Sequence, residues 1–155
     1  RETLQGEQDA YGVETMIRKN TGMLNGWISY TYSRSMMQVN LPETGEQING
    51  GISYPSVYDR PHSFSFVANY KQGRRLSFSS NLVYMTGRPV TYPTSLYYIS
   101  GITYLDYYAR NGFRIPDYFR IDLGLNIEGN LKINKLAHSS VTLGVYNVTG
   151  RKNAY

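Results

Sequence analysis

The sequence predicts an all-β fold, an antiparallel up-and-down meander of about six strands that forms one arc of a transmembrane β-barrel. Three observations predict it. The stretch 117–128 alternates between apolar residues and polar, charged or glycine residues, short and long connections alternate along the chain, and aromatic residues gather toward one end of the predicted strands.

The stretch 117–128 would have two chemically different faces as a strand. Its odd positions from Phe119 to Ile127 are all apolar, whereas its even positions include Arg120, Asp122 and Asn126. A β-strand places alternate residues on opposite faces, so one face is apolar and the other hydrated. Such a strand fits a leaf of a soluble sheet, or a barrel wall between lipid and a wet lumen.

Alternation of the same kind predicts five further strands. Asn20-Thr21-Gly22 and the segment 71–74 give tight turns, because Asn and Gly tolerate the positive φ that such turns need. The predicted strands, in chain order, span about 10–19, 23–35, 62–70, 75–86, 117–128 and 138–147.

Two long connections separate these strands, at about 36–61 and 87–116. Proline and glycine interrupt the first, so we expect no regular element within it. Short connections follow the first, third and fifth strands, and long ones the second and fourth. Outer-membrane barrels sort their short periplasmic turns and long external loops in this way.

The residue types on the two faces also favour a barrel wall. The expected aromatic girdle of the apolar face, at the lipid headgroup level, consists of Tyr11, Tyr30, Tyr32, Phe64, Tyr84 and Phe119. The alternative is that these rings form the core of a soluble sheet. The charged residues expected to face the lumen are Glu14, Arg18, Arg120 and Asp122. Six strands are too few to close a barrel, which needs roughly eight, so we expect an arc of a larger wall.

Composition narrows the class of protein further. The 155 residues include 16 Tyr, 15 Gly and no Cys, and no apolar run is long enough for a transmembrane helix. Without Cys, disulfides and thiolate metal sites are excluded. The net charge of +5 is scattered, which argues against a nucleic-acid partner. The chain begins without Met or a signal peptide, so we expect it to be part of a longer protein.

Seven motifs together resemble one known family. They are Ala-Tyr-Gly-Val-Glu (10–14), Ile-Arg-Lys-Asn-Thr-Gly (17–22), Gly-Trp-Ile-Ser-Tyr-Thr-Tyr-Ser-Arg-Ser (26–35), Tyr-Asp-Arg-Pro-His (58–62), Thr-Gly-Arg-Pro-Val-Thr-Tyr-Pro (86–93), Arg-Ile-Pro-Asp-Tyr-Phe-Arg-Ile-Asp-Leu (114–123) and Tyr-Asn-Val-Thr-Gly-Arg-Lys-Asn-Ala-Tyr (146–155). In this order they resemble the carboxy-terminal barrel of TonB-dependent outer-membrane receptors of the Bacteroidetes type.

The resemblance implies an active transporter in the outer membrane of a Gram-negative bacterium, with a multi-pass barrel of about 22 strands. It implies contact with outer-membrane lipid and lipopolysaccharide, with a plug domain of the same protein, and with the TonB complex through an amino-terminal part that this sequence lacks. A surface lipoprotein is a further partner that it suggests. The six predicted strands would be the sixteenth to twenty-first, so the plug and the last strand are missing.

Aromatic and basic residues are dense in the connection 87–116. The rings would suit stacking on a sugar, an aromatic siderophore or a peptide, and the arginines could meet an anionic ligand or a lipopolysaccharide phosphate. The alternative is packing onto neighbouring loops or a partner lipoprotein. The candidates for ligand contact are Tyr92, Tyr97, Tyr98, Tyr104, Tyr107, Tyr108, Arg110, Phe113 and Arg114.

Three classes of function remain open from the sequence. The first is an active transporter of a glycan, peptide, siderophore or cobalamin. The second is a barrel that acts as an adhesin or structural protein without transport, and the third is an outer-membrane enzyme such as a lipase that uses His62 or His138. We expect no enzyme, catalytic residue, cofactor or metal, since no nucleophile or metal motif is present and Asp59-Arg60-Pro61-His62 suits a loop root better than acid–base chemistry.

Overall fold

The computed structural model describes residues 4–41, 45–107, 109–129 and 139–154. In these ranges the chain is almost entirely β-structure, with one short 3-10 turn at Asn49–Gly51. No helix of the described chain is long and apolar enough to cross a membrane.

Within the described ranges, six long strands form the main sheet, and seven short strands lie in the connections. In chain order the strands are β1 (Glu7–Lys19), β2 (Leu24–Gln38), β3 (Asn40–Leu41), β4 (Glu46–Gln47), β5 (Tyr54–Pro55), β6 (His62–Gln72), β7 (Leu76–Met85), β8 (Pro89–Val90), β9 (Ser95–Ile99), β10 (Ile102–Asp106), β11 (Phe113–Arg114), β12 (Tyr118–Glu128) and β13 (Ser140–Val145).

The long strands form one sheet in the order β1-β2-β6-β7-β12-β13, with β5 attached to β2. Each long strand therefore neighbours the next long strand in the sequence, and the pairs β6–β7, β7–β12 and β12–β13 are antiparallel. This is the predicted meander. Its order is open, as expected for an arc of a larger barrel.

The register across β6, β7 and β12 places apolar side chains in rows on one face. Residues directly opposite one another in an antiparallel pair point to the same face. The apolar rows are Phe64–Tyr84–Phe119, Phe66–Leu82–Ile121, Ala68–Ser80–Leu123 and Tyr70–Phe78–Leu125. The rows of the opposite face are Ser65–Val83–Arg120, Val67–Asn81–Asp122, Asn69–Ser79–Gly124 and Lys71–Ser77–Asn126.

No side chain of the apolar rows is buried. On β12 and β13, for example, Leu123 is 47% exposed and Val145 60%. Among the described residues the buried hydrophobic side chains are Val39 and Tyr54, and neither belongs to these apolar rows. A soluble sheet would bury its apolar face against a second layer, so this distribution argues against the soluble alternative.

The described residues divide into two compact units. The first takes in the described parts of 1–13, 32–61 and 86–117, which include both long connections, and the second takes in those of 14–31, 62–85 and 118–155, which include most of the sheet.

The expectation that the connection 36–61 holds no regular element is wrong, and both long connections contain short strands. The first contains β3, β4 and β5, and the second contains the hairpin β9–β10 and the pair β8–β11. Ser100 and Gly101 form the two-residue turn between β9 and β10, with φ of 52° and 80°. Positive φ at both positions matches the right-handed twist of the flanking strands. In the sequence, this turn is indicated by the Ser-Gly pair between two apolar runs.

Candidate functional site

The connection between β7 and β12 is a long hairpin rather than an irregular loop, and we call residues 87–117 the long hairpin. At its root the N–H of Gly87 donates to Asp117 Oδ1 at 2.9 Å, and the N–H of Ile115 donates to the Arg88 carbonyl at 3.1 Å. A Cβ at Gly87 would lie 1.7 Å from the carbonyl oxygen of Ile115, so only glycine lets the two limbs approach. Beyond the root, β8 pairs with β11.

The outer part of the long hairpin is β9–β10, and we call Ser95–Asp106 the tyrosine hairpin. Tyr97 and Tyr104 face each other across it, with ring centroids 5.8 Å apart and planes within 12°. Tyr98 points to its other face and is 71% exposed. All described residues of β9 and β10 are exposed. The hairpin therefore presents aromatic side chains on both faces.

The other candidates of the long hairpin lie nearer its root. Tyr92 packs edge-on against Phe113, with centroids 6.1 Å apart, and both remain exposed. Tyr107 is 51% exposed, and Tyr108 lies outside the described residues. Arg110 is exposed, and the Asn49 side chain binds its backbone.

Two asparagines join the connection 36–61 to the long hairpin. The amide of Asn49 brackets the backbone of Arg110: Oδ1 accepts from the N–H at 2.7 Å and Nδ2 donates to the carbonyl at 3.0 Å. Asn111 is 6% exposed, donates from Nδ2 to the Pro55 carbonyl at 2.8 Å, and its N–H donates to Thr91 Oγ1 at 3.0 Å. Both asparagines have positive φ, 54° and 56°.

Asp59 is the most buried acid of this region, at 1% exposure. Its carboxylate accepts from the N–H of Ser35 at 2.8 Å and from Arg34 Nε at 3.2 Å, and it contacts Arg114 Nη2. Burial alone would raise the pKa of Asp59, but the N–H of Ser35 and the two guanidinium groups outweigh it and hold the pKa below its usual value. Both arginines are distant from Asp59 in the sequence.

Arg114 is a candidate for anion binding, but its guanidinium makes hydrogen bonds within the protein. Nη1 donates to the carbonyls of Asp59 at 2.7 Å and Gly87 at 2.9 Å, and Nη2 contacts the Asp59 carboxylate. These contacts assign Arg114 a structural role at the loop root. An anionic ligand would have to compete with the buried Asp59 carboxylate for this partly exposed guanidinium.

The polar face of the sheet carries a compact cluster around Asp122. Arg120 Nη2 lies 3.1 Å from Asp122 Oδ2, which also accepts from Asn81 at 3.3 Å, and the N–H of Asn147 donates to Oδ1 at 3.0 Å. The Arg120 guanidinium lies over the Tyr146 ring, 4.4 Å from its centroid. Both charges are thus paired within the sheet.

The segment after β13 continues the sheet beside β12, which the sequence analysis missed. The N–H of Val148 donates to the Ile121 carbonyl at 2.8 Å. The amide of Asn153 then takes the place of a neighbouring strand: it accepts from the N–H of Phe119 at 2.9 Å and donates to its carbonyl at 3.1 Å. No local pattern signals this contact, because it depends on where the chain returns after the turn at 147–150.

The register places three of the predicted girdle residues on the apolar face. Phe64, Tyr84 and Phe119 form one row across β6, β7 and β12. Tyr30 stacks on His62, and its hydroxyl lies 2.8 Å from Nδ1. Tyr11 on β1 is 62% exposed, and Tyr32 on β2 is half-buried.

A second aromatic row, which the sequence analysis did not identify, lies at the other end of the same strands. Tyr70 and Phe78 are paired across β6 and β7, and each is 42% exposed. Along β6, Tyr70 lies six positions beyond Phe64, a separation of about 20 Å at roughly 3.3 Å per residue. Two such rows, on either side of a mostly aliphatic band, resemble the paired aromatic girdles of membrane barrels.

The remaining candidates have few contacts. Glu14 and Arg18 are exposed on β1, on the face opposite Val13 and Ile17. His62 contacts Tyr30, and His138 lies outside the described residues. Within the described part of the chain no group of His, Asp and Glu side chains could hold a metal ion.

An antiparallel meander with an uncovered apolar face, aromatic rows at both ends of that face and a hydrated opposite face defines a wall of a transmembrane β-barrel. Comparison with protein families agrees with this class. The chain belongs to the family of TonB dependent receptor-like β-barrels, whose model matches residues 2–148. No curated protein and no solved structure gives a significant match. The family is one of outer-membrane transporters.

Proposed function

We propose that this chain forms the wall and two external connections of a TonB-dependent receptor of the Bacteroidetes type that imports a large or scarce ligand. A glycan, a peptide, a siderophore and cobalamin are the ligand classes that fit. The exposed apolar face of the sheet carries the proposal, because it needs lipid on one side and leaves the polar face to a water-filled lumen.

The tyrosine hairpin is the part of the chain that we assign to ligand contact. Its tyrosines are exposed, and the parallel pair Tyr97–Tyr104 supplies flat apolar surface with hydroxyl groups at the edge. The arginines contribute less, since Arg114 is bound to Asp59. On the polar face, Arg120 and Asp122 would face the plug domain of the same protein, and Glu14 and Arg18 would lie on the same side.

The other partners follow from this placement. Outer-membrane lipid would cover the apolar rows, with lipopolysaccharide at the level of Phe64, Tyr84 and Phe119. The TonB complex would act on the amino-terminal part of the full-length protein, and a surface lipoprotein could cover the long connections.

The first test is genetic. Translation of the reading frame on both sides of the chain should give a signal peptide and a plug domain upstream and a last strand downstream. A deletion strain complemented with the full-length gene should then accumulate one member of a panel of labelled glycans, peptides, ferric siderophores and cobalamin. The double substitution Tyr97→Ser and Tyr104→Ser should lower that accumulation, while the exposed double substitution Arg74→Gln and Arg75→Gln, in the turn between β6 and β7, should change it less.

A protonophore separates transport from adhesion. Transport driven by the proton-motive force should stop when the protonophore is added, whereas surface binding by an adhesin would persist. Binding without energy-dependent uptake, in a frame that encodes no plug, would refute the transport proposal and support the adhesin.

A further inference from the structure

The tyrosine hairpin is attached to the rest of its unit through a short, irregular base. Among the described residues, the pairing of the two limbs ends at Ser95–Asp106 and resumes at β8–β11. Residues 109–112 lie between these pairs on the carboxyl-side limb, and we call them the base segment. The orientation of the hairpin therefore depends on what holds the base segment.

Side-chain hydrogen bonds join the base segment to the connection 36–61. Asn49 brackets the backbone of Arg110 with two hydrogen bonds, and Asn111 donates to the Pro55 carbonyl. Thr91 on the other limb bonds Asn111 at both its N–H and its Oδ1. The base segment is thus held between the connection 36–61 and the opposite limb of the long hairpin.

The backbone conformation of both asparagines indicates that the clamp is a specific feature. Asn49 and Asn111 have φ of 54° and 56°, a region that most residues with a side chain avoid. Asparagine tolerates this conformation better than most residues and also supplies an amide that can donate and accept at once. Glycine would tolerate the conformation but could not make the bonds.

We propose that Asn49 and Asn111 are positioning residues that set the orientation of the tyrosine hairpin by clamping the base segment to the connection 36–61. The two long connections then act as one recognition surface, so a change in the first alters ligand contact at the second. The consequence for uptake rests on the proposed function of the hairpin, but the orientation itself does not.

A distance measurement tests the clamp directly. Ile52 in the first connection and Tyr98 in the hairpin are each 71% exposed, so Ile52→Cys and Tyr98→Cys can carry nitroxide labels without disturbing packing. The 155 residues contain no Cys, and any in the rest of the full-length receptor would be replaced. Double electron–electron resonance on the full-length receptor in its native outer membrane gives the distribution of label distances.

The clamp predicts a single narrow distribution in the parent protein. Asn49→Gly combined with Asn111→Gly should broaden it by about twofold or more, because the base segment loses its side-chain bonds while its backbone conformation stays accessible. Asn49→Asp, which keeps the acceptor and loses the donor, should give intermediate broadening. Gln47→Ala serves as the matched control, because Gln47 bonds Asn40 within the first connection and its loss should leave the distribution unchanged.

Two results would overturn the proposal: an unchanged distribution in both asparagine variants, or equal broadening in the Gln47→Ala control. If the double glycine variant does not assemble in the membrane, the Asn49→Asp variant decides alone by the same criterion. A broader distance distribution in the asparagine variants would support the clamp whatever the uptake result. If the Tyr97→Ser, Tyr104→Ser variant then took up ligand normally, the clamp would stand and the role of the hairpin in ligand contact would be refuted.

Discussion

Both terminal nitrogens of the Arg114 guanidinium contact Asp59. Nη1 donates to the backbone carbonyl of Asp59 at 2.7 Å, and Nη2 contacts the side-chain carboxylate. The same Nη1 donates to the carbonyl of Gly87, so one side chain ties the end of the connection 36–61 to the root of the long hairpin. The region that we assign to ligand recognition is therefore anchored by a buried charge at its root.

Replacing Asp59 by Asn should loosen this root. The amide keeps the shape of the side chain but loses the charge that faces Arg34 and Arg114. We expect the free energy of unfolding to fall by about 2 kcal/mol, a modest loss because both arginines are partly solvated. Limited proteolysis of the full-length receptor in outer-membrane vesicles should show faster cleavage in the connection 36–61. Asp106→Asn is the control, because Asp106 is an exposed carboxylate of the same unit; equal cleavage in the two variants would contradict the assignment.

The same root should weaken in acid. The native pKa of Asp59 lies below its ordinary value of 3.8, so its carboxylate stabilises the folded protein fully above that value. This contribution is lost as the pH falls through the lower native pKa. Hydrogen exchange of the amides near Ser35 and Ser56, corrected for the intrinsic pH dependence, should therefore accelerate at low pH in the parent protein. Asp59→Asn should remove this acceleration; a parallel response in the variant would show that another group titrates.

Ser79 and Ser80 allow a matched test of which face meets lipid. They are neighbours on β7 with the same side chain, yet Ser80 lies in the apolar row with Leu123, and Ser79 lies opposite Gly124 on the polar face. Arginine near the middle of a lipid-facing strand costs about 2–4 kcal/mol, whereas arginine in a wet lumen costs little. Ser80→Arg should reduce the amount of assembled, heat-modifiable receptor far more than Ser79→Arg. The reverse order would invert the assignment of the faces.

Gly26 should tolerate no side chain. A Cβ there would lie 2.0 Å from the Val67 carbonyl oxygen, and its φ of 151° is one that L residues rarely adopt. Gly26→Ala should destabilise the sheet by about 1–3 kcal/mol, as overpacking commonly does. Gly144→Ala is the matched control, because the atom nearest to its added Cβ is 3.9 Å away. Thermal unfolding of the full-length receptor measures both, and equal midpoints would contradict the close approach of β2 and β6.

Much of the architecture could be read from local pattern. Alternation in 117–128 requires two different faces, and the alternation of short and long connections requires neighbouring strands to be consecutive in the chain. The strand order β1-β2-β6-β7-β12-β13 follows from these two facts. The order of the seven motifs indicated the family that the residues 2–148 match.

The candidate site could be predicted only in part. The sequence showed that tyrosines are dense in 87–116, but the Pro and Gly residues there concealed a hairpin whose turn depends on Ser100, an uncommon residue at positive φ. Arg114 seemed available for an anion because its partner Asp59 is distant in the chain. Such pairings depend on loop closure, for which a local pattern gives no signal.

The sequence by itself determined the long β-strands, their two faces and their sequential order, because side-chain alternation and turn residues act over a few neighbouring positions. Tertiary structure alone decided which rows align, so that Tyr70 and Phe78 form a second aromatic row, and which distant residues meet, as Asn49 meets Arg110 and Asn153 meets Phe119. These contacts join segments far apart in the chain, and their geometry is fixed only when the register of the whole sheet brings the backbones together.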